Sequence, residues 1–160
     1  MSKRWIQTLA VPVLFLVGAA FLVQRADAAP MKGGKSFVVW PAADMKWVAL
    51  PDAPPGPMLS VISGDPKKGA YTAIEKFPAG FSAALHRHPA NHKIVIISGT
   101  WIHGEPGKPD ARLGPGSYLF QPAGQKHSTA CDAASECVFF IESSGKFGLK
   151  LVGDEKKPAK

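Results

Sequence analysis

Glycine and proline punctuate this chain so densely that few folds remain open to it. Sixteen glycines and fifteen prolines in 160 residues separate short runs rich in Val, Ile, Phe and Thr, at intervals of roughly eight to twelve residues. No long segment shows the apolar period of about 3.6 residues that an amphipathic helix requires. The rhythm therefore predicts an all-β domain, a small sandwich or barrel. Strands are expected over 37–40, 47–50, 58–63, 70–77, 82–86, 93–98, 100–103, 117–121, 126–129, 137–142 and 148–152. Prolines at 51, 54, 55 and 57 supply no ladder donors, so that segment is a loop or an edge crossing. A second connection rich in Pro and Gly runs over 104–116.

Two clusters of histidine and glycine lie within this framework. In the first, Gly80 precedes His86, His88, His92 and Gly99; in the second, Gly116 precedes Pro122, Gly124 and His127. Successive side chains of a strand point to opposite faces, so Ser82, Ala84, His86 and His88 share one face, and His92, Ile94 and Ile96 share a face of the next strand. Two imidazoles two residues apart then point to one side, and His127 arrives from a neighbouring strand. Ala84, Ile94 and Ile96 are expected to form a dry floor beneath them, with Phe120 as a further pocket residue. Val95 and Ile97 are apolar on the opposite face, which predicts either cover from N-terminal strands or a homodimer contact. His103 shares parity with Trp101, but a lone histidine beside Gly104 reads as a loop residue.

These clusters resemble the two motifs of the cupin superfamily, G(X)5HXH(X)3,4E(X)6G and G(X)5PXG(X)2H(X)3N, at eight of ten positions. His92 stands where the family has Glu, and Cys131 where it has Asn. The resemblance implies a double-stranded β-helix, the jelly-roll barrel, with one divalent transition metal on His86, His88, His92 and His127. Neutral imidazoles without a carboxylate favour Zn, Cu, Fe or Ni over Mn or Mg. They also leave the site more positive, so an anionic, chelating organic substrate is expected. His92 either completes the ligand set or stands off from it, and only in the second case is it free to act as a catalytic base. The function implied is a metal-dependent enzyme of dioxygenase or lyase type. The alternative is a cupin that binds or senses a metal or small ligand without turnover. Four intact histidines disfavour a metal-free sugar-binding or isomerase-like reading.

The N-terminus reads as a secretory signal over 1–28: Lys3 and Arg4 precede an apolar run from Leu9 to Val23, and Ala26 and Ala28 place small residues before the expected cleavage point. Its removal takes the formal charge from +7 to +5 and leaves about 132 residues, one cupin domain over 29–153 followed by a charged flexible tail over 154–160. Periplasmic or secreted location follows, with no membrane attachment after cleavage. The dispersed lysines form no basic stripe interleaved with aromatics, which argues against nucleic acid. The two cysteines, Cys131 and Cys137, bracket a polar turn, and an oxidising compartment favours a disulfide between them over a thiol beside the metal.

Overall fold

The computed structural model describes residues 37–51 and 53–153; the expected signal segment and charged tail lie outside the described residues. After a short 3-10 turn at Ala42–Asp44 the strands are β1 (Val48–Ala49), β2 (Met58–Gly64), β3 (Tyr71–Phe77), β4 (Ser82–Arg87), β5 (His92–Ser98), β6 (Trp101–Gly104), β7 (Ala111–Leu113), β8 (Tyr118–Gln121), β9 (His127–Cys131), β10 (Cys137–Ser143) and β11 (Lys150–Leu151). They form a six-stranded sheet, β1-β2-β3-β10-β5-β8, and a five-stranded sheet, β11-β4-β9-β6-β7. Every pairing is antiparallel. From β3 onward the chain changes sheet at each connection except the β6–β7 hairpin, so the two sheets share one interior, as a jelly roll requires.

Register arranges that interior in rows. Across the six-stranded sheet the inward residues pair as Tyr71, Ser143, His92 and Gln121, then Ala73, Ile141, Ile94 and Leu119, then Leu59, Glu75, Phe139 and Ile96. The first row is polar and the second apolar. The third is apolar except for one carboxyl, that of Glu75. On the facing sheet His86 pairs with His127, His103 with Thr129 and Trp101 with Cys131. Phe139 packs edge-on against Phe77 and Trp101, at 5.0 and 4.6 Å between ring centroids. This cluster fills the end of the barrel away from the histidines.

The connections follow from local chemistry. All four motif glycines, Gly80, Gly99, Gly116 and Gly124, take positive φ, a conformation other residues resist. Gly99 is the most constrained, because a Cβ there would lie 2.3 Å from the carbonyl oxygen of Glu136. Cys131 and Cys137 form a disulfide with Cα atoms 5.8 Å apart, closing the turn between β9 and β10.

Several expectations change. Residues 37–40 form no strand and are exposed; among the described residues their β-branched and aromatic character has no partner strand to pair with. The segment 104–116 contains β7, paired to β6 through Trp101 and Leu113. Among the described residues no N-terminal strand covers Val95 and Ile97, which stay exposed beside Tyr118 and Phe120.

Candidate metal centre

All five histidines of the sequence converge at one end of the barrel. Rings of His86 and His127 lie 4.3 Å apart, those of His86 and His88 4.9 Å, and those of His88 and His127 5.2 Å. One nitrogen from each of these three can be chosen so that all lie within 4.8 Å of one another. Their other nitrogens are held by the backbone: His86 Nδ1 lies 2.6 Å from the carbonyl of Ala84, His88 Nδ1 2.7 Å from that of Gly148, and His127 Nδ1 3.1 Å from that of Gln125. A carbonyl only accepts, so each Nδ1 carries the proton and donates. Each Nε2 is thereby left with a lone pair, the arrangement by which ligating histidines are oriented. His127 Nε2 is buried without a hydrogen-bond partner, as an acceptor awaiting a cation would be.

Burial keeps these rings neutral. Desolvation lowers the pKa of His86, and pushes those of His88 and His127 down to about 3 and about 4, against the smaller opposing pull of their carbonyl partners. Neutral imidazole is the form that ligates. The donor set, its tautomers and its protonation state therefore fit a nitrogen-preferring divalent ion.

His92 stands beside this trio. Its ring is 4.5 Å from that of His88, its Nε2 is buried without a partner, and Gln121 faces it across the β5–β8 ladder. Burial lowers its pKa to about 4, and Gln121 opposes that shift. His103, read from sequence as a loop residue, is instead a buried residue of β6, its ring 5.4 Å from that of His127 and nearly parallel to it. The signal was present in the alternation of Trp101 with His103, which puts both on one face.

The pocket residues sort differently from the strict alternation. In β4 the register shifts between Ala83 and His86, and this bulge inserts an extra residue. Ala83 is therefore buried and Ala84 exposed; Ala84 is not a floor residue and serves the site through its carbonyl. Ile94 lines the cavity and Ile96 is buried in the core beyond it. Phe120 does not enter the cavity: it is 46% exposed, because β8 turns Leu119 and Gln121 inward. It lies instead on the rim of an outer vestibule of about 190 Å³ shared by His103, Gln121, Lys126 and His127.

The inner cavity is small, about 40 Å³, room for roughly three waters. His86, His88 and His92 border one side of it, and the aromatic rings of Phe77, Trp101 and Phe139 much of the rest. Glu75 borders it too, a residue not singled out in the sequence. The inward parity of Tyr71, Ala73, Glu75 and Phe77 in β3 could have revealed it.

Comparison with known proteins bears on both fold and site. The chain is 40% identical over 52 residues to dimethylsulfoniopropionate lyase DddQ of Ruegeria pomeroyi, covering 32% of this chain and 26% of that protein. It thus spans about a quarter of that relative's length. The structure of DddQ matches with a TM-score of 0.57 at 21% identity, over 72% of this chain and 64% of that one. The polyketide cyclase RemF of Streptomyces resistomycificus matches with a TM-score of 0.62 at 17% identity, over 77% and 90%. An RmlC-like cupin protein of Ralstonia eutropha JMP134 matches with a TM-score of 0.57 at 19% identity, over 78% of each chain. At these identities the structures establish the fold alone. The chain has the cupin fold, and it belongs to the family described as Domain of unknown function (DUF4437), which matches residues 5–150.

Proposed function

We propose that this protein is a metal-dependent lyase acting on a small organic anion, with one divalent transition metal, Zn, Cu, Fe or Ni, held by His86, His88 and His127. The observation that supports this most is the convergence of three neutral imidazoles whose Nδ1 protons are already committed to backbone carbonyls. A divalent ion held by these histidines would supply Lewis acidity, which would make the C–H next to a substrate carboxylate more acidic. The chain itself does the rest. A cavity of about 40 Å³ limits the part of the ligand it encloses to a few non-hydrogen atoms. Aromatic walls exclude water, and four neutral imidazoles bring no negative charge to repel the anion. The sequence similarity to DddQ favours a lyase over a dioxygenase.

The experiment is to load the purified protein with each metal in turn, measure bound metal by elemental analysis, and follow short 3-substituted propionates by proton NMR. Dimethylsulfoniopropionate, the compound in the relative's name, is the first probe. One equivalent of metal with release of an alkene acid is expected. Tightly held zinc with neither turnover nor small-acid binding would replace this reading with a non-catalytic metal site. Export, with cleavage after Ala28, is part of the proposal and is checked by N-terminal sequencing of the protein recovered from its native compartment.

A further inference from the structure

Glu75 is out of place by every rule of burial. It is 2% exposed and sits in a row with Leu59, Phe139 and Ile96, none of which can pair with a carboxylate. Among the described residues its Oε1 is buried without a hydrogen-bond partner, as are Tyr71 Oη and Trp101 Nε1. Uncompensated polar groups in an apolar interior are costly. Glu75 and Trp101 both border the same small cavity as the histidines, so their unmet hydrogen bonds lie where a ligand's atoms arrive.

We infer that Glu75 is the proton-exchanging residue of this cavity, touching the ligand that the histidines receive. The inference rests on the lyase reading for its reaction and on the cavity geometry for the contact. Among the described residues, the titratable side chains bordering the cavity are Glu75, His86, His88 and His92. Two of these are committed to the metal in the proposed site, and His92 stands beside them. Glu75 comes from the opposite sheet to His86 and His88 and lies two rows from His92. The elements packed against it contribute Leu59 from β2 and Phe139 from β10, both apolar; Tyr71 is the titratable neighbour on its own strand. Burial raises the Glu75 pKa to about 8, and the nearby Tyr71 hydroxyl pulls it back toward ionisation. A carboxyl poised near the working pH is suited to giving and taking protons.

In an elimination, ionised Glu75 takes the proton from the carbon next to the substrate carboxylate. The C–H electron pair becomes the second bond of the new alkene, and the leaving group departs with the pair from its own bond. The protonated Glu75 then releases its proton to the leaving group or to water.

Two measurements on the full metal-loaded protein test this. Infrared spectroscopy over a pH series should show a protonated-carboxyl band below the Glu75 pKa that shifts on adding propionate and is missing from Glu75→Gln; a band present in wild type but unmoved by propionate, acrylate and acetate overturns the contact. This readout needs no turnover, so a moving band in a protein that converts no substrate sinks the lyase reading and leaves the contact standing. With an active substrate, kcat/KM should rise tenfold per pH unit up to the Glu75 pKa, which lies near 8 in the metal-free cavity and is lowered by the charge of a bound dication. Glu75→Gln should keep one equivalent of metal and lose at least a hundredfold in kcat, while Tyr71→Phe keeps the limb and moves it to higher pH. A limb surviving unchanged in Glu75→Gln assigns the proton to another group, His92 first, and overturns the inference.

Discussion

The two polar regions of the interior are built in opposite ways. At the mouth, five histidines cluster, three of them with Nδ1 held by backbone; at the far side, one carboxyl oxygen and one indole nitrogen border the cavity without hydrogen-bond partners among the described residues. In the metal-free protein burial favours the neutral form in both regions, by desolvation. Yet neutrality means a free base in the first case and a bound proton in the second. One barrel thus offers a ligand site and a proton store a few side chains apart.

The largest effect is expected from breaking the mouth. His86→Ala or His127→Ala should abolish stoichiometric metal, whereas His92→Ala, beside the trio, should weaken binding by about 10- to 100-fold; elemental analysis and metal titration separate the two outcomes. If His92→Ala abolishes metal as completely as His127→Ala, the mouth is a four-histidine site and His92 is one of its ligands. Next in size is packing. Ile94→Ala should cost about 2 to 5 kcal/mol, while Phe120→Ala, on the rim, should stay within about 0.5 kcal/mol, both read from urea unfolding.

Opening the disulfide with Cys131→Ser and Cys137→Ser together should cost about 2 kcal/mol by the chain-entropy account, checked by the same unfolding curves. It should leave metal content unchanged, since the bridge lies beyond the histidine rows.

The pH dependence of the metal-free protein sharpens the contrast most directly. The folded histidines have lowered pKa values, so their contribution to stability is present above about 6.5 and falls as pH drops toward 4 and 3. Glu75 has the opposite sign: its contribution is full below about 4.5 and is lost as pH rises toward 8. Stability should therefore decline on both sides, and Glu75→Gln should flatten the alkaline side alone. An alkaline decline that persists in Glu75→Gln means the carboxyl is not held protonated by the fold.

How much of this was legible beforehand depends on what each residue needs. The glycines of the two motifs are required wherever φ is positive, so their spacing marks turns that any reader of the chain can place. His86 and His88 face one way because they lie two apart in extended chain at the end of β4, His88 just past its last residue. Ala84 was misplaced by the same alternation, since a bulge between Ala83 and His86 is invisible in residue spacing. His103 and Glu75 carried no motif, and only their strand parity hinted at burial. Strand β7 hid in a segment whose Pro and Gly content reads as loop, because its pairing with β6 depends on a hairpin register rather than on composition.

Local sequence determined what local physics controls: the strand-and-turn rhythm, the positive-φ glycines, the ligand type at each motif position, and the cysteine pair that the short turn brings together. Tertiary structure decided which residues meet. Bringing His127 against His86 and burying Glu75 in the shared interior both depend on contacts between strands distant in sequence. Side-chain protonation follows from that burial, and burial is a property of the assembled barrel.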